Sequence, residues 1–352
     1  MPATAPSAVG GKVTAPSKAT KKPTVNSLRQ HFARNSRVRA FELHISSSRG
    51  QSTINSVAWN CDGRRLAASS NDGQVTFVRF ESSKLSPDFS GSGHKETVDQ
   101  VFWHASHPDL LVSAAADKTV RIWDARVRKS THTIQTKNAN LNVTWSPDGS
   151  MIAFTDKADR LTVVDARMHN VLHTKDFKLE ANDLCFDPTS RFLFVATGAG
   201  LVQIFSCDSR HLRSHCQLRA HPSQCVCETI RMSPNGDVFA VGGNDALISI
   251  WDLNTLVCLR TIDRLDYSIR QISFSHDGQL IAAGSEDVCI DVAHVATGEK
   301  IHELKGDSDT YSLSWHPRQY LLAFATAPTS ISICWRLRPR QPRTCTAIRR
   351  AP

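Results

Sequence analysis

The segment Gly93–Arg126 reads GHKETVDQVFWHASHPDLLVSAAADKTVRIWDAR and contains three short apolar runs separated by turn residues. These runs are Val98–Trp103, Leu110–Ala114 and Thr119–Trp123, and they predict β-strands. A Gly-His pair precedes the runs and a Trp-Asp pair closes them, which is typical of one four-stranded blade of a WD-repeat propeller. The segment therefore predicts an all-β fold built from such blades.

The same unit recurs along the chain. Each unit is marked by a large apolar residue that ends its first predicted strand and precedes a turn. These anchors are Trp59, Trp103, Trp145, Phe186, Met232, Phe274 and Trp315. They are 44, 42, 41, 46, 42 and 41 residues apart, close to the period of roughly 40–45 residues expected for such blades. Seven anchors predict a seven-bladed propeller.

Four polar residues of the first segment fit a hydrogen-bonded structural tetrad: His94, Ser113, Asp117 and Trp123. The indole N–H of Trp123 only donates, the Ser113 hydroxyl donates and accepts, and the Asp117 carboxylate only accepts. His, Ser and Asp also form catalytic triads, but this order along a blade already has a structural use. We therefore expect no enzymatic activity.

The repeat signature is uneven between units. Beyond the tetrad, the signature residues are Asp124, His221, Asp245, Trp251 and Asp252. In unit five, Val241 stands where a hydroxyl is expected. Units three, four and six lack both the Gly-His and the Trp-Asp pair.

The ring is expected to close with its N-terminal strand. Arg39–Ile45 reads as a strand before the first full unit, and Ile331–Leu337 as the third strand of the last unit. The N-terminal strand then supplies the missing fourth strand, which leaves no open sheet edge. The expected organisation is a propeller at 36–337 between a tail at 1–35 and a tail at 338–352.

The N-terminal tail contains one candidate helix. In Asn26–Arg39, Leu28 and Phe32 lie four residues apart behind a cap at Asn26 or Ser27. Its apolar face would either pack on the propeller, which we favour, or dock a partner.

Positive charge is concentrated at the two ends. Residues 1–40 hold eight Lys or Arg and residues 336–352 hold six Arg, with no acid in either segment. Removing these 14 from the 42 basic residues leaves 28 basic against 33 acidic residues, so the net charge of the chain between the two ends is near −5. The tails are expected to be disordered and to contact nucleic-acid phosphates non-specifically, with Lys21, Lys22, Arg338 and Arg340 as candidates. The alternatives are solubility or nuclear import.

Other functional classes find little support in the sequence. The apolar runs are too short to span a bilayer, and the ten cysteines show no paired spacing. Three groups of His and Cys have spacings that metal ligands sometimes use: His104 and His107, His169 and His173, and His211, His215 and Cys216. None is joined by a second convergent pair, so we expect no metal, cofactor or small-molecule substrate.

The residues four positions before each anchor are expected to line one mouth of the ring. They are Asn55, Asp99, Leu141, Asn182, Glu228, Arg270 and Tyr311. We take Asn55, Asp99, Glu228, Arg270 and Tyr311 as candidate protein-binding residues. Arg270 and Tyr311 are the favoured anchors, because aromatic residues and Arg are enriched at protein interfaces.

Several longer stretches resemble the THO complex subunit 3 (Tex1-like) family. They include NSVAWNCDGRRLAASS at 55–70, AHPSQCVC at 220–227 and, within 244–298, the motifs RLDYSIR and SEDVCIDVAHVATG. Tyr267 departs from the Trp expected there. The resemblance implies a nuclear scaffold of the THO and TREX assemblies, which link transcription and splicing to mRNA export. The implied partners are other THO subunits, an RNA helicase and an export adaptor.

The runner-up interpretation rests on Trp123-Asp124-Ala125-Arg126. This tetrapeptide resembles the Trp-Asp-x-Arg box by which some WD-repeat proteins join cullin-RING ubiquitin ligases as substrate receptors.

Overall fold

The structure is a computed structural model that describes residues 24–35, 37–41, 52–82, 84–208, 211–306, 308–326 and 330–335. One helix and 28 strands lie in these ranges. The helix is α1 (Val25–Asn35) and the first strand is β1 (Arg37–Phe41).

The remaining strands follow in chain order, four to a blade. Blade one contains β2 (Ile54–Trp59), β3 (Arg65–Ser70), β4 (Gln74–Glu81) and β5 (Lys84–Ser92). Blade two contains β6 (Val98–Trp103), β7 (Leu110–Ala115), β8 (Thr119–Asp124) and β9 (Lys129–Gln135). Blade three contains β10 (Asn140–Trp145), β11 (Met151–Asp156), β12 (Arg160–Asp165) and β13 (Val171–Asp176). Blade four contains β14 (Ala181–Phe186), β15 (Phe192–Thr197), β16 (Leu201–Cys207) and β17 (Leu212–Arg219). Blade five contains β18 (Cys227–Met232), β19 (Val238–Gly243), β20 (Ile248–Asp252) and β21 (Cys258–Ile262). Blade six contains β22 (Ile269–Phe274), β23 (Leu280–Ser285), β24 (Cys289–His294) and β25 (Lys300–Lys305). Blade seven contains β26 (Thr310–Trp315), β27 (Leu322–Thr326) and β28 (Ser330–Trp335), and β1 completes it.

These strands form seven four-stranded antiparallel sheets. The first strand of each sheet contacts the first strands of both neighbouring sheets, and β26 contacts β2, so the ring is closed. The expected all-β propeller is confirmed. Every sequence anchor is the last residue of a first strand, from Trp59 in β2 to Trp315 in β26.

The last sheet pairs the two ends of the chain. β1 lies antiparallel to β28, with Arg37 opposite Trp335 and Phe41 opposite Ile331. The strand expected at Arg39–Ile45 begins two residues earlier, and 42–45 lie outside the described residues. The predicted strands ending at Ala114 and Trp123 each extend by one residue, because pairing with a neighbouring strand continues to Ala115 and Asp124.

The helix packs on the propeller, and its cap differs from the expected one. Leu28 and Phe32 are buried in a cluster with residues of blades six and seven. The cap is Thr24, because its Oγ1 accepts a hydrogen bond from the Ser27 N–H at 3.3 Å and its carbonyl accepts one from the Leu28 N–H. Asn26 and Ser27 lie inside the helix instead.

Hydrogen bonds between first strands define two faces of the ring. Near the strand starts, Asn55 Nδ2 donates to the Val98 carbonyl at 3.0 Å. Near the strand ends, Trp103 Nε1 donates to the Ala58 carbonyl at 2.9 Å. Neighbouring first strands therefore run in the same direction. We call the end where they start the upper face, and the end where they finish the lower face.

The apolar core lies in separate layers between blades, such as the layer of Trp103, Phe77 and Trp123 between blades one and two. The cysteines assigned within the described residues are free thiols. No helix in this part of the chain has the length and apolarity needed to cross a membrane.

Candidate functional site

The upper face is built from one irregularity that every blade repeats. The register between the first and second strands shifts at the second residue of the first strand. These bulge residues are Asn55, Asp99, Leu141, Asn182, Glu228, Arg270 and Tyr311. They are the residues that the sequence placed at one mouth of the ring. A β-bulge redirects a side chain out of the regular alternation. Because the bulge lies at the same position in every blade, the seven residues form one circle around the upper face.

Only two members of this circle are exposed. Tyr311 retains 46% of its surface and Arg270 is exposed, whereas the other five are partly buried. Asn55 and Asn182 each donate to a carbonyl of the next blade, at 3.0 Å to Val98 and 3.2 Å to Cys227. These two amides connect blades, so Asn55 is less available to a partner than the sequence indicated.

The two acids of the circle are held in an environment that disfavours their charge. Burial raises the pKa of Asp99 to about 6, with a partial offset from Lys157. Burial also raises the pKa of Glu228, and Arg270 offsets part of that effect. Their partial burial again leaves Arg270 and Tyr311 as the accessible members.

Two further exposed side chains, Tyr267 and Val288, lie on loops of the same face as Arg270 and Tyr311. We define the rim patch as Tyr267, Arg270, Val288 and Tyr311. Tyr267 and Val288 are 57% and 56% exposed. Large exposed apolar residues mark interaction sites when they cluster.

Hydrogen bonds hold the loops of the rim patch in place. The Asp287 carboxylate accepts from the backbone N–H groups of Asp266 and Tyr267, at 3.0 and 3.2 Å. The Gly306 N–H donates to the Val288 carbonyl at 2.7 Å, which extends the β24–β25 pairing of blade six and fixes the backbone at Val288. Arg270 pairs with the exposed Glu286. The patch is therefore apolar with a mixed-charge edge.

The tetrad of blade two also lies at the upper face. His94 Nε2 lies 2.7 Å from Ser113 Oγ, and Trp123 Nε1 donates to the same oxygen at 2.8 Å. His94 Nδ1 lies 3.0 Å from Asp117. Because the carboxylate only accepts, the Nδ1–H donates to Asp117 and Nε2 accepts from Ser113. The chain of bonds runs from Trp123 through Ser113 and His94 to Asp117.

This connectivity matches a Ser-His-Asp triad, but the serine is inaccessible. Ser113 is fully buried and its Oγ already accepts the Trp123 indole N–H. A nucleophile must reach the substrate carbonyl, which Ser113 cannot do beneath the packed blade. The arrangement serves to join the loop of His94 to the second and third strands.

Burial sets the protonation state of the tetrad. It lowers the pKa of His94 to about 4, and Asp117 opposes that effect only in part. Burial alone would raise the pKa of Asp117, but hydrogen bonds from Thr119 and the Lys95 N–H lower it. At neutral pH the pair is therefore a neutral imidazole on a carboxylate.

Blade five keeps a variant of this network. His221 Nδ1 lies 2.9 Å from Asp245, and Ser249 Oγ lies 3.2 Å from His221 Nε2. Ser249 belongs to the third strand and supplies the hydroxyl that Val241 lacks. The Trp251 Nε1 is buried and has no hydrogen-bond partner among the described residues. The Asp252 carboxylate accepts from the Asn254 and Thr255 N–H groups and stabilises the following turn.

The neutral state of His94 gives a testable pH dependence. The unfolded chain binds a proton near pH 6.5, but folded His94 does so only near 4. Its stabilisation is therefore present above pH 6.5 and is lost as the pH falls towards 4. The cost of His94→Gln, measured by urea unfolding, should be smaller at pH 5 than at pH 7 by about 2 kcal/mol. Other titrating groups are common to both proteins and cancel. An equal cost at both pH values would contradict a neutral His94.

The structure bears differently on three sequence hypotheses: the Trp-Asp-x-Arg box, the metal-ligand spacings and the basic tails. Arg126 of the Trp-Asp-x-Arg box pairs with Asp124 in its own turn, with Nη2 at 2.6 Å from Oδ2. Within the described residues, no three His, Cys, Asp or Glu side chains are placed to hold a metal ion. The candidate tail residues Lys21, Lys22, Arg338 and Arg340 lie outside the described residues.

A family model and a curated relative identify the same family. A family model described as the THOC3 beta-propeller domain matches residues 50–325. THO complex subunit 3 of Arabidopsis thaliana is 37% identical over 80% of this chain and 90% of that protein. WD repeat-containing protein AAC3 of Dictyostelium discoideum is 29% identical over 77% of this chain and 61% of its own length. None of these three names a ubiquitin-ligase component.

A solved structure supports the architecture alone. The beta-propeller domain of Cps50 (Swd1) from Myceliophteria thermophila matches with a TM-score of 0.74 at 18% identity. The match covers 86% of this chain and 100% of that domain.

Proposed function

Because the chain belongs to the THO complex subunit 3 family of β-propellers, we propose that it is a non-enzymatic scaffold subunit of the THO/TREX complex. In this role it couples transcription and mRNA processing to nuclear mRNA export. The family match over residues 50–325 carries the proposal. Its partners are the other THO subunits, with the RNA helicase and the export adaptor of TREX in the same assembly, and its compartment is the nucleus.

The rim patch is the proposed contact with another THO subunit. It combines Arg270 and Tyr311, on first strands, with Tyr267 and Val288 on loops that hydrogen bonds fix in place. Aromatic residues and Arg dominate binding energy at interfaces. Fixed loops also reduce the ordering cost of association. Three of the eight exposed large apolar residues in the described ranges belong to the rim patch. The other five are Val127, Met168, Val171, Val257 and Leu259.

Combining Arg270→Ala with Tyr311→Ala should weaken partner binding without unfolding the ring, because both side chains are exposed. Hot-spot residues cost more than about 1–2 kcal/mol on truncation, so recovery of the neighbouring THO subunit should fall about tenfold. The measurement is affinity purification of the tagged protein from nuclear extract after RNase treatment, with quantification of each partner.

A matched control is Arg213→Ala with Met168→Ala, which removes one exposed arginine and one exposed apolar side chain at other places. Recovery with the control should equal that of the wild type. Equal recovery with both double variants would exclude the rim patch. Failure of the wild-type protein to recover any THO subunit would exclude the scaffold function itself.

A further inference from the structure

Three arginines from two blades converge on one buried carboxylate at the lower face. Asp88 sits on β5, where the register with β4 shifts between Phe77 and Val78, and its side chain is 2% exposed. Arg79 Nε and Arg128 Nη2 lie 3.0 and 3.1 Å from its oxygens, and Arg65 Nε lies 3.7 Å away. Arg128 comes from the turn after β8, so the cluster bridges blades one and two.

Positive charge exceeds negative charge at the surface of this cluster. Arg65 also pairs with Asp109, which leaves Arg79 and Arg128 to share Asp88. The Arg79 and Arg128 side chains remain 42% and 56% exposed, whereas Asp88 is underneath them. Arg128 Nη2 donates a hydrogen bond to Asp88, whereas Arg79 Nε lies beside the other carboxylate oxygen as an ion pair without hydrogen-bond geometry. Asp88 therefore holds the two cations next to each other while both side chains stay partly open to solvent.

The surrounding turns add further positive charge. The exposed cations on the lower-face turns of blades one and two are Arg64, Lys84, Arg126 and Lys129. Among the acids of these turns, Glu81 is exposed and Asp62 partly so, while the Asp109 and Asp124 side chains are largely buried. The chain without its two basic ends has a net charge near −5, so this positively charged area differs in sign from the rest of the propeller.

The chemistry of the area favours a nucleic acid over a protein. Protein interfaces need an apolar core, but Val127 is the only large apolar residue here that is highly exposed among the described residues. Nucleic-acid interfaces are polar and positively charged. The planar fork of an oriented guanidinium also fits phosphate oxygens in a bidentate manner.

The last described strand, β28, ends on the same face. Third strands of the blades run towards the lower face, and β28 is the third strand of blade seven, which neighbours blade one. Residues 336–352 follow it directly and contain six arginines without an acid.

We infer that Arg79 and Arg128, held side by side by Asp88, form a binding site for the backbone phosphates of a nucleic acid on the lower face of blades one and two. This site is separate from the rim patch and does not depend on it. It adds an ordered phosphate contact to the non-specific contacts expected of the basic tails.

The test measures binding of a fluorescein-labelled oligouridine RNA to the full chain by fluorescence anisotropy over a range of salt concentrations. Arg79→Glu with Arg128→Glu should weaken binding more than tenfold at low salt. The slope of log K against log salt should fall by about 0.7 for each lost phosphate contact. The matched control is Arg167→Glu with Arg213→Glu, which makes the same change in net charge at exposed positions of blades three and four. It should change affinity less than about threefold, because screening limits effects over long distances.

If the variant with Arg79→Glu and Arg128→Glu does not fold, a milder variant provides the test. Arg128→Ala keeps Arg65 and Arg79 as ion-pair partners of Asp88 and should reduce affinity several-fold. Circular dichroism at the temperature of the binding assay checks that this variant is folded. Single-stranded DNA should show the same losses if phosphates are read, whereas losses with RNA alone would place the contact at the 2′-hydroxyl and overturn the phosphate assignment. Equal losses in the variant and the control would also overturn the site. Displacement of RNA by polyglutamate at lower charge concentration than by unlabelled RNA would assign the site to an acidic protein.

Discussion

Deletion of residues 1–41 should strongly destabilise the ring. β1 is the outer strand of blade seven, and its removal exposes the backbone N–H and C=O groups of β28 as an open edge. The deletion also removes α1, whose buried Leu28 and Phe32 are each worth about 1.5–3 kcal/mol. A loss of several kcal/mol would lower the melting temperature by on the order of 10 °C or more. Circular dichroism and calorimetry would measure the change.

Two shorter deletions separate the contributions. Deletion of residues 1–23 leaves every described contact of α1 and β1 in place and should not change the melting temperature. Deletion of residues 1–36 removes the helix and keeps the strand, so it should have an intermediate effect from lost burial in the cluster of blades six and seven. A protein lacking residues 1–41 that melts like the wild type would show that β1 does not hold the ring closed.

The sequence predicted the repeating parts of this fold because they depend on local chemistry. A large apolar residue followed by a turn motif marks the end of a first strand, and all seven anchors occupy that position. The N-terminal closure also followed from counting strands. These features need only alternation of apolar residues, turn residues and the need to avoid open edges.

The details that required neighbours in space were not visible in the sequence. The bulge at each rim residue appears only in the strand register. In blade five a hydroxyl was expected at Val241, but Ser249 on the adjacent strand supplies it. The cluster on Asp88 joins Arg65, Arg79 and Arg128, which lie too far apart in the chain for spacing to indicate a site. The helix cap at Thr24 was missed because Asn26 and Ser27 are intrinsically better capping residues than Thr.

The uneven repeats raise the question of whether the intact tetrad matters more than its incomplete counterpart in blade five. Trp123 is fully buried and its indole donates at 2.8 Å to Ser113. Trp251 occupies the equivalent position, but its Nε1 has no partner among the described residues. The two tryptophans therefore differ in hydrogen bonding more than in packing.

Trp123→Ala should destabilise the protein by about 3–5 kcal/mol, because it removes the largest fully buried side chain and leaves a cavity between blades. Trp123→Phe keeps most of the apolar contact and removes the donor to Ser113, so we expect a further cost of about 1–3 kcal/mol for the disrupted buried network beyond the change in size. Trp251→Phe is the matched control, and its destabilisation should come only from the smaller side chain. Urea unfolding of the four proteins at pH 7 would measure these differences. Equal costs of the two Phe variants would mean that the hydrogen bond to Ser113 adds nothing to stability. Trp123 would then stabilise blade two by packing alone, as Trp251 does in blade five.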